Sequence, residues 1–237
     1  MEIIWEGIKP ALGHFLSADS EVLGITLRSL WISGAATLLS LAVGIPIGIA
    51  LALARFPGRS FAVSLINTGM GLPPVVVGLF VSVFLWRSGP LGFLELLYTP
   101  TAMVIAQLII AFPIVAGLTM AAFQTLNPNL RLQLLGIGAS RLQLLWLLYK
   151  EARLPLLAAV MAGFGGVISE VGASMMVGGN IRGQTRVLTT ATVLETGKGN
   201  FEIAIALGLI LLILTFAVNF LLTHIQQREQ LRWPKPS

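Results

Sequence analysis

Ala206-Leu-Gly-Leu-Ile-Leu-Leu-Ile-Leu-Thr-Phe216 carries no charge and only one hydroxyl. A half-buried strand, or a strand of a membrane barrel, alternates apolar and polar residues. No such alternation exists here, so the run reads as a helix with apolar residues on every side. Extended both ways it covers 201–223, enough at about 1.5 Å per residue to cross about 30 Å of hydrocarbon. Four further runs of the same kind lie at 29–54, 61–86, 100–123 and 154–178. The expected fold class is therefore an all-α integral membrane protein with about five transmembrane helices. The whole chain, 1–237, reads as a single membrane domain.

Composition agrees with this reading. Of 237 residues 56% are hydrophobic and 11% charged, with a mean hydropathy of +0.88. A soluble domain needs about 25% charged residues to solvate its surface. Cysteine is absent, which excludes disulfides, thiolate metal sites and cysteine nucleophiles. The net charge of +5 comes from basic residues scattered at the ends of apolar runs. They are not clustered with aromatics, so topology explains them and nucleic-acid binding does not. The N-terminus, Met1-Glu2, does not read as a cleavable signal.

Glycine and proline punctuate the spans: Gly34, Gly44, Pro46 and Gly48 in the first, Gly71, Pro73, Pro74 and Gly78 in the second. Small residues let membrane helices approach closely, and Pro73-Pro74 must distort the second span. Basic residues set the orientation. With the N-terminus outside, nine lysines and arginines fall inside and six outside, which favours N-out, C-in. Residues 1–24 place Ile3, Ile4, Trp5, Ile8, Leu12, Phe15 and Leu16 near helical spacing. That pattern suits an amphipathic helix lying at the interface. Residues 224–237 read as a cytoplasmic tail.

The inside connection 127–153 is long and helix-forming. Asn127-Pro128 supplies a cap and a first helical residue. A leucine-rich helix follows up to Trp146. Periodicity leaves open whether its apolar face covers the protein's own bundle or another subunit. Gly138-Ala139-Ser140-Arg141, followed by Leu154-Pro155, resembles the coupling loop of bacterial ABC importer permeases, which docks in a groove of the ATPase subunit. Leu132-Gln133-Leu134 stands where that family has Glu-Ala-Ala, and Lys150-Glu151-Ala152-Arg153 delays the Leu-Pro. Ile168-Ser-Glu-Val-Gly-Ala-Ser-Met-Met-Val-Gly-Gly-Asn-Ile181, Thr185-Arg-Val-Leu-Thr-Thr190 and Leu72-Pro-Pro-Val-Val-Val-Gly78 resemble the molybdate/tungstate permease group, the tungstate branch most.

The resemblance implies a type I ABC importer permease domain in the cell (inner or plasma) membrane. It implies a homodimer working with a dimer of ATP-binding ABC subunits and an extracytoplasmic substrate-binding protein. It also implies ATPase coupling through Leu132, Gly138, Ala139, Ser140 and Arg141. The chain has no Gly-x-x-x-x-Gly-Lys-Ser/Thr phosphate loop, so ATP would be hydrolysed by the partner, with no cofactor held here.

Glu170 is the acid that falls deep inside a span, well away from its ends. A charge there costs at least about 2.5–3.5 kcal/mol on insertion scales, so it must face the bundle interior or meet a partner. A dianionic oxyanion would be repelled by it, so a fold or gate role near Gly172 is expected. Neutral donors suit an anion path better: Thr68, Ser169, Ser174 and Asn180 are candidates, and each equally suits a helix–helix hydrogen bond. An intramembrane protease is excluded by its chemistry. The histidines, His14 and His224, lie at opposite ends of the chain and Asp19 is the sole aspartate. A stand-alone ion-coupled transporter or channel would need no docking loop and would usually show more than one intramembrane acid.

Overall fold

The computed structural model describes residues 20–231. The expected interfacial helix at 1–24 lies outside the described residues except for its last five, which open the first span. Among the described residues every regular element is helical: α1 (Ser20–Leu53), α2 (Arg59–Met70), α3 (Pro74–Leu85), α4 (Pro100–Gln124), α5 (Pro128–Gly136), α6 (Arg141–Ile168), α7 (Gly172–Gly178), α8 (Leu188–Gly197) and α9 (Phe201–Leu231). α1, α4, α6 and α9 are each long and apolar enough to cross a membrane. α2 and α3 pass that test only as a pair bent by 103°.

α4 is the axis of the bundle. Thr99 caps it by accepting from the Ala102 N–H, and Pro100 opens its first turn. Its neighbours approach through small residues, because lipid and helix surfaces are equally apolar and close packing must replace the hydrophobic effect. A Cβ on Gly48 of α1 would lie 2.6 Å from the Ala116 carbonyl oxygen, and one on Gly44 would lie 2.9 Å from Val115. On the other side, a Cβ on Gly69 of α2 would lie 2.8 Å from Pro113. The hydroxyls on the buried face of α1 cost little, because Ser29, Thr37 and Ser40 donate to carbonyls four residues back at 2.7–2.8 Å.

Three expectations about the spans change. The second span, 61–86, is two helices rather than one. Pro73 and Pro74 lack the N–H groups that would continue the ladder, so α2 stops at Met70 and the chain restarts with Pro74 at the first helical position. The fourth span begins at Arg141 rather than 154 and passes through Pro155 without a break. It ends at Ile168, so residues 169–171 interrupt what read as one helix. The expected tail at 224 onward continues α9 to Leu231.

The leucine-rich helix expected to run to Trp146 is instead two helices, because Gly138 turns the chain after α5 and Ser140 caps a new helix, α6. Asn127 caps α5 through the Asn129 N–H. Gly138, at φ +84°, takes a left-handed conformation that costs other residues about 1–2 kcal/mol. Ser140 and Gln143 form a reciprocal capping box. The leucine face divides in two. Leu130 and Leu134 pack with Leu144, Leu148 and Phe123 on the bundle, whereas Leu132, Ile137 and Leu142 are 67, 80 and 79% exposed.

Contacts sort the loops into two ends. Arg131 donates to the Leu53 carbonyl and Arg59 to that of Leu51. Arg28, near the start of α1, donates to the carbonyls of Arg186 and Gly183. With N-out topology, Lys198→Cys is expected to react with an impermeant thiol reagent from outside, and Arg55→Cys only after the membrane is opened. Equal labelling of both in intact cells would overturn that orientation.

Candidate translocation site

Two interrupted helices meet near the middle of the bundle. The break at Gly71-Leu72-Pro73 releases α3, and the break at Ser169-Glu170-Val171 releases α7. The short helices pack through glycine: a Cβ on Gly78 would sit 2.6 Å from the Ala173 Cα, and one on Gly172 would sit 2.5 Å from Val75 Cγ2. Either approach is possible only without a side chain on the glycine.

Glu170 lies in the second break, not inside a helix as the sequence suggests, and is 9% exposed. The protein engages it from three elements. Its N–H donates to the Val167 carbonyl at the end of α6. Its Oε1 accepts from the Ala173 N–H at 2.9 Å in the first turn of α7. Its carbonyl accepts from Thr189 Oγ1 of α8 at 3.0 Å. The carboxylate thus satisfies a helix N–H and complements the positive end of the short helix.

The other candidates separate into two groups. Ser174 is fully buried and accepts from Gln107 Nε2 of α4 at 3.3 Å. The Oε1 of Gln107 has no partner among the described residues. Asn180 adopts φ 51°, and its Nδ2 donates to the Thr190 carbonyl at 3.3 Å. These two tie α7 and the loop after it to the bundle. Ser169 and Thr68 are exposed instead. Ser169 donates back to Gly165.

Thr68 belongs to a set that the sequence reading missed. Ser60, Ser64, Asn67 and Thr68 are all exposed on α2 at i, i+4, i+7 and i+8. Ile66 and Gly69 on the opposite face pack against α4. The helical period of those polar residues was the available signal. Polar groups are costly against lipid, so this face belongs toward other protein or a water-filled space.

Threonines and arginines brace the loop from 179 to 187. Thr185, fully buried, accepts from the Ile181 N–H and donates to the Gly178 carbonyl. The Leu188 N–H donates to Ser29 of α1 at 2.8 Å. Glu21 at the head of α1 pairs with Arg182 and stands 3.8 Å from Arg186. Farther along, Asn200 and Lys198 donate to Glu195 and hold its carboxyl below the usual range. The loop end of the site thus gathers Arg28, Arg182, Arg186 and Lys198 around Glu21 and Glu195. The break below it presents neutral hydroxyls and one engaged carboxylate.

Comparison with known proteins places this architecture. The tungstate uptake system permease protein TupB of Peptoclostridium acidaminophilum is 41% identical over 96% of this chain and 100% of its own length. A probable anion ABC transporter permease protein of Haloferax volcanii is 44% identical over 87% of this chain and 91% of its own. Among solved structures, a bacterial ABC transporter involved in the import of the acidic polysaccharide alginate shares the fold. Its TM-score is 0.76 at 18% identity, covering 91% of this chain and 83% of that one. The model of binding-protein-dependent transport system inner membrane components matches residues 44–230. With its membrane helices, broken spans and exposed helix pair, the chain belongs to the binding-protein-dependent transport system inner membrane component family.

Proposed function

We propose that this chain is the permease subunit of an ATP-driven importer that carries tungstate, or the nearly isosteric molybdate, into the cytoplasm. The observation that carries the substrate reading is the full-length similarity to a tungstate uptake permease. Two copies face each other across a two-fold axis, since five spans enclose too little for a path and its lining. A dimer of ATP-binding subunits docks on the α5–α6 turn. There Leu132 and the neighbouring Ile137 present apolar surface, and Gly138, Ala139, Ser140 and Arg141 shape and charge the turn. An extracytoplasmic binding protein delivers the anion to the opposite end and supplies the affinity, because a path must bind weakly to conduct.

Within the path, the neutral donors of α2, Thr68 among them, and Ser169 meet the anion. Ser174 and Asn180 position the elements around it. Glu170 and Gly172 form the hinge of a gate at the crossing of the two broken helices. Glu170 is engaged by Val167, Ala173 and Thr189, which supports a gate role over direct contact with a dianion.

The test is uptake into vesicles holding this chain, the ATPase and the binding protein. ATP-dependent tungstate accumulation is expected, and uptake without ATP would sink the proposal. In the same assay Glu170→Gln keeps an acceptor for the Ala173 N–H but removes the charge. Charge-assisted bonds exceed neutral ones by about 1 kcal/mol, so transport or basal ATPase rate should shift roughly fivefold. The ranking of tungstate, molybdate and sulfate should not change. A reordered ranking would place the carboxylate against the substrate.

A further inference from the structure

Two cavities adjoin at the end of α3 that lies away from the α5–α6 turn. One, 290 Å³, is walled entirely by aliphatic and phenylalanine side chains, among them Phe80, Phe84, Leu91, Ile105 and Ile109. Its mouth faces the α3–α4 surface, where Phe80, Phe84 and Ile109 are 59, 49 and 44% exposed. The second, 380 Å³, is lined by Trp86, Arg87, Glu95 and Tyr98. Leu85 lines both. The apolar slot uses the turn of α3 from Phe80 to Leu85, and the polar cavity uses the residues just beyond it. At about 1.5 Å per residue the two stand roughly one turn apart along the helix.

Arg87 and Glu95 share that polar cavity, yet neither makes an ion pair or side-chain hydrogen bond among the described residues. Opposite charges left unpaired in one cavity suit a ligand that carries both signs. Trp86 and Tyr98, half-exposed at the same level, are the residue types that settle where hydrocarbon gives way to water.

We propose that the two cavities form a binding site for one glycerophospholipid with a zwitterionic, amine-bearing headgroup. An acyl chain fills the slot. The phosphate meets Arg87 and the ammonium meets Glu95. An anionic headgroup would leave Glu95 opposed to a like charge. An uncharged amphiphile would leave both residues unmatched. The polar cavity shares a wall with the translocation site, because the Tyr98 N–H donates to the Val177 carbonyl at 2.8 Å and its ring closes over Gly179. The lipid therefore buttresses the end of α7.

The test is lipid analysis of the full-length chain extracted from membranes containing both phosphatidylethanolamine and phosphatidylglycerol. Phosphatidylethanolamine is expected to be retained above its bulk share. Arg87→Ala/Glu95→Ala should lower that enrichment roughly three- to tenfold, as two partly exposed charge contacts would. Ile109→Trp, at an exposed position, should fill the slot and abolish retention while leaving elution as a folded species unchanged. Equal retention of both lipids, or unchanged enrichment in the charge variant, would overturn the headgroup assignment. Disulfide linkage between two copies of Ile109→Cys in the membrane would overturn the lipid, because the groove would then be covered by a second copy.

Discussion

Ile137→Asp is expected to detach the ATPase subunit without disturbing the permease. Ile137 is 80% exposed at the tip of the α5–α6 turn, so its own bundle loses almost no buried surface. If the tip fills a groove on the ATPase, a carboxylate there is desolvated without a partner. Central interface residues of this kind cost about 2–4 kcal/mol when lost, which weakens association about 30- to 1,000-fold. Co-purification of the ATPase should fail, and uptake with it. Leu148→Asp makes the contrast. Leu148 is 2% exposed in the cluster that seats the turn on the bundle, so that change should destabilise the permease itself. Gly138→Trp and Arg141→Glu fall between these extremes. The first forces a side chain into a left-handed turn, and the second reverses an exposed charge on that turn. Retention of the ATPase by Ile137→Asp at normal yield would remove the docking assignment.

Gly78→Leu should abolish most transport with the ATPase still bound. The first atom of any side chain there would lie 2.6 Å from the Ala173 Cα. Backbone cannot swing aside as a flexible side chain can, so α3 and α7 must separate. Overpacking typically costs about 1–3 kcal/mol, and the close approach of small residues is what holds membrane helices together. Thermal stability in detergent should fall with Gly78→Ala and further with Gly78→Leu. The leucine variant should lose uptake by at least about a hundredfold, an energy of about 2.7 kcal/mol, while still retaining the ATPase. Wild-type uptake by Gly78→Leu would show that the crossing of the two broken helices is not part of the path.

The membrane class, the approximate spans and the cap at Asn127-Pro128 were legible in the residues alone. Lipid as solvent makes hydropathy a local property, so an apolar run such as 206–216 identifies its own environment without reference to the fold. Caps are local as well: Asn127 accepts from the N–H two residues on, whereas Ser140 and Gln143, which fell within the helix expected to run to Trp146, form a capping box in the structure. Proline placed a distortion at 73–74, although not its 103° size. Tertiary structure decided what depends on distant partners. In a membrane the packed face and the lipid face of a helix are both apolar, so hydropathy does not tell them apart. Gly78 meets Ala173 across nearly a hundred residues of chain, and neither neighbourhood announces the other. The same holds for Glu170. Its position within an apolar run suggested a carboxylate inside a helix, whereas it sits in a break engaged by Val167, Ala173 and Thr189. The backbone groups freed by that break find partners on α6, α7 and α8 only once those helices pack together, and this assembly is what settles the environment of the charge.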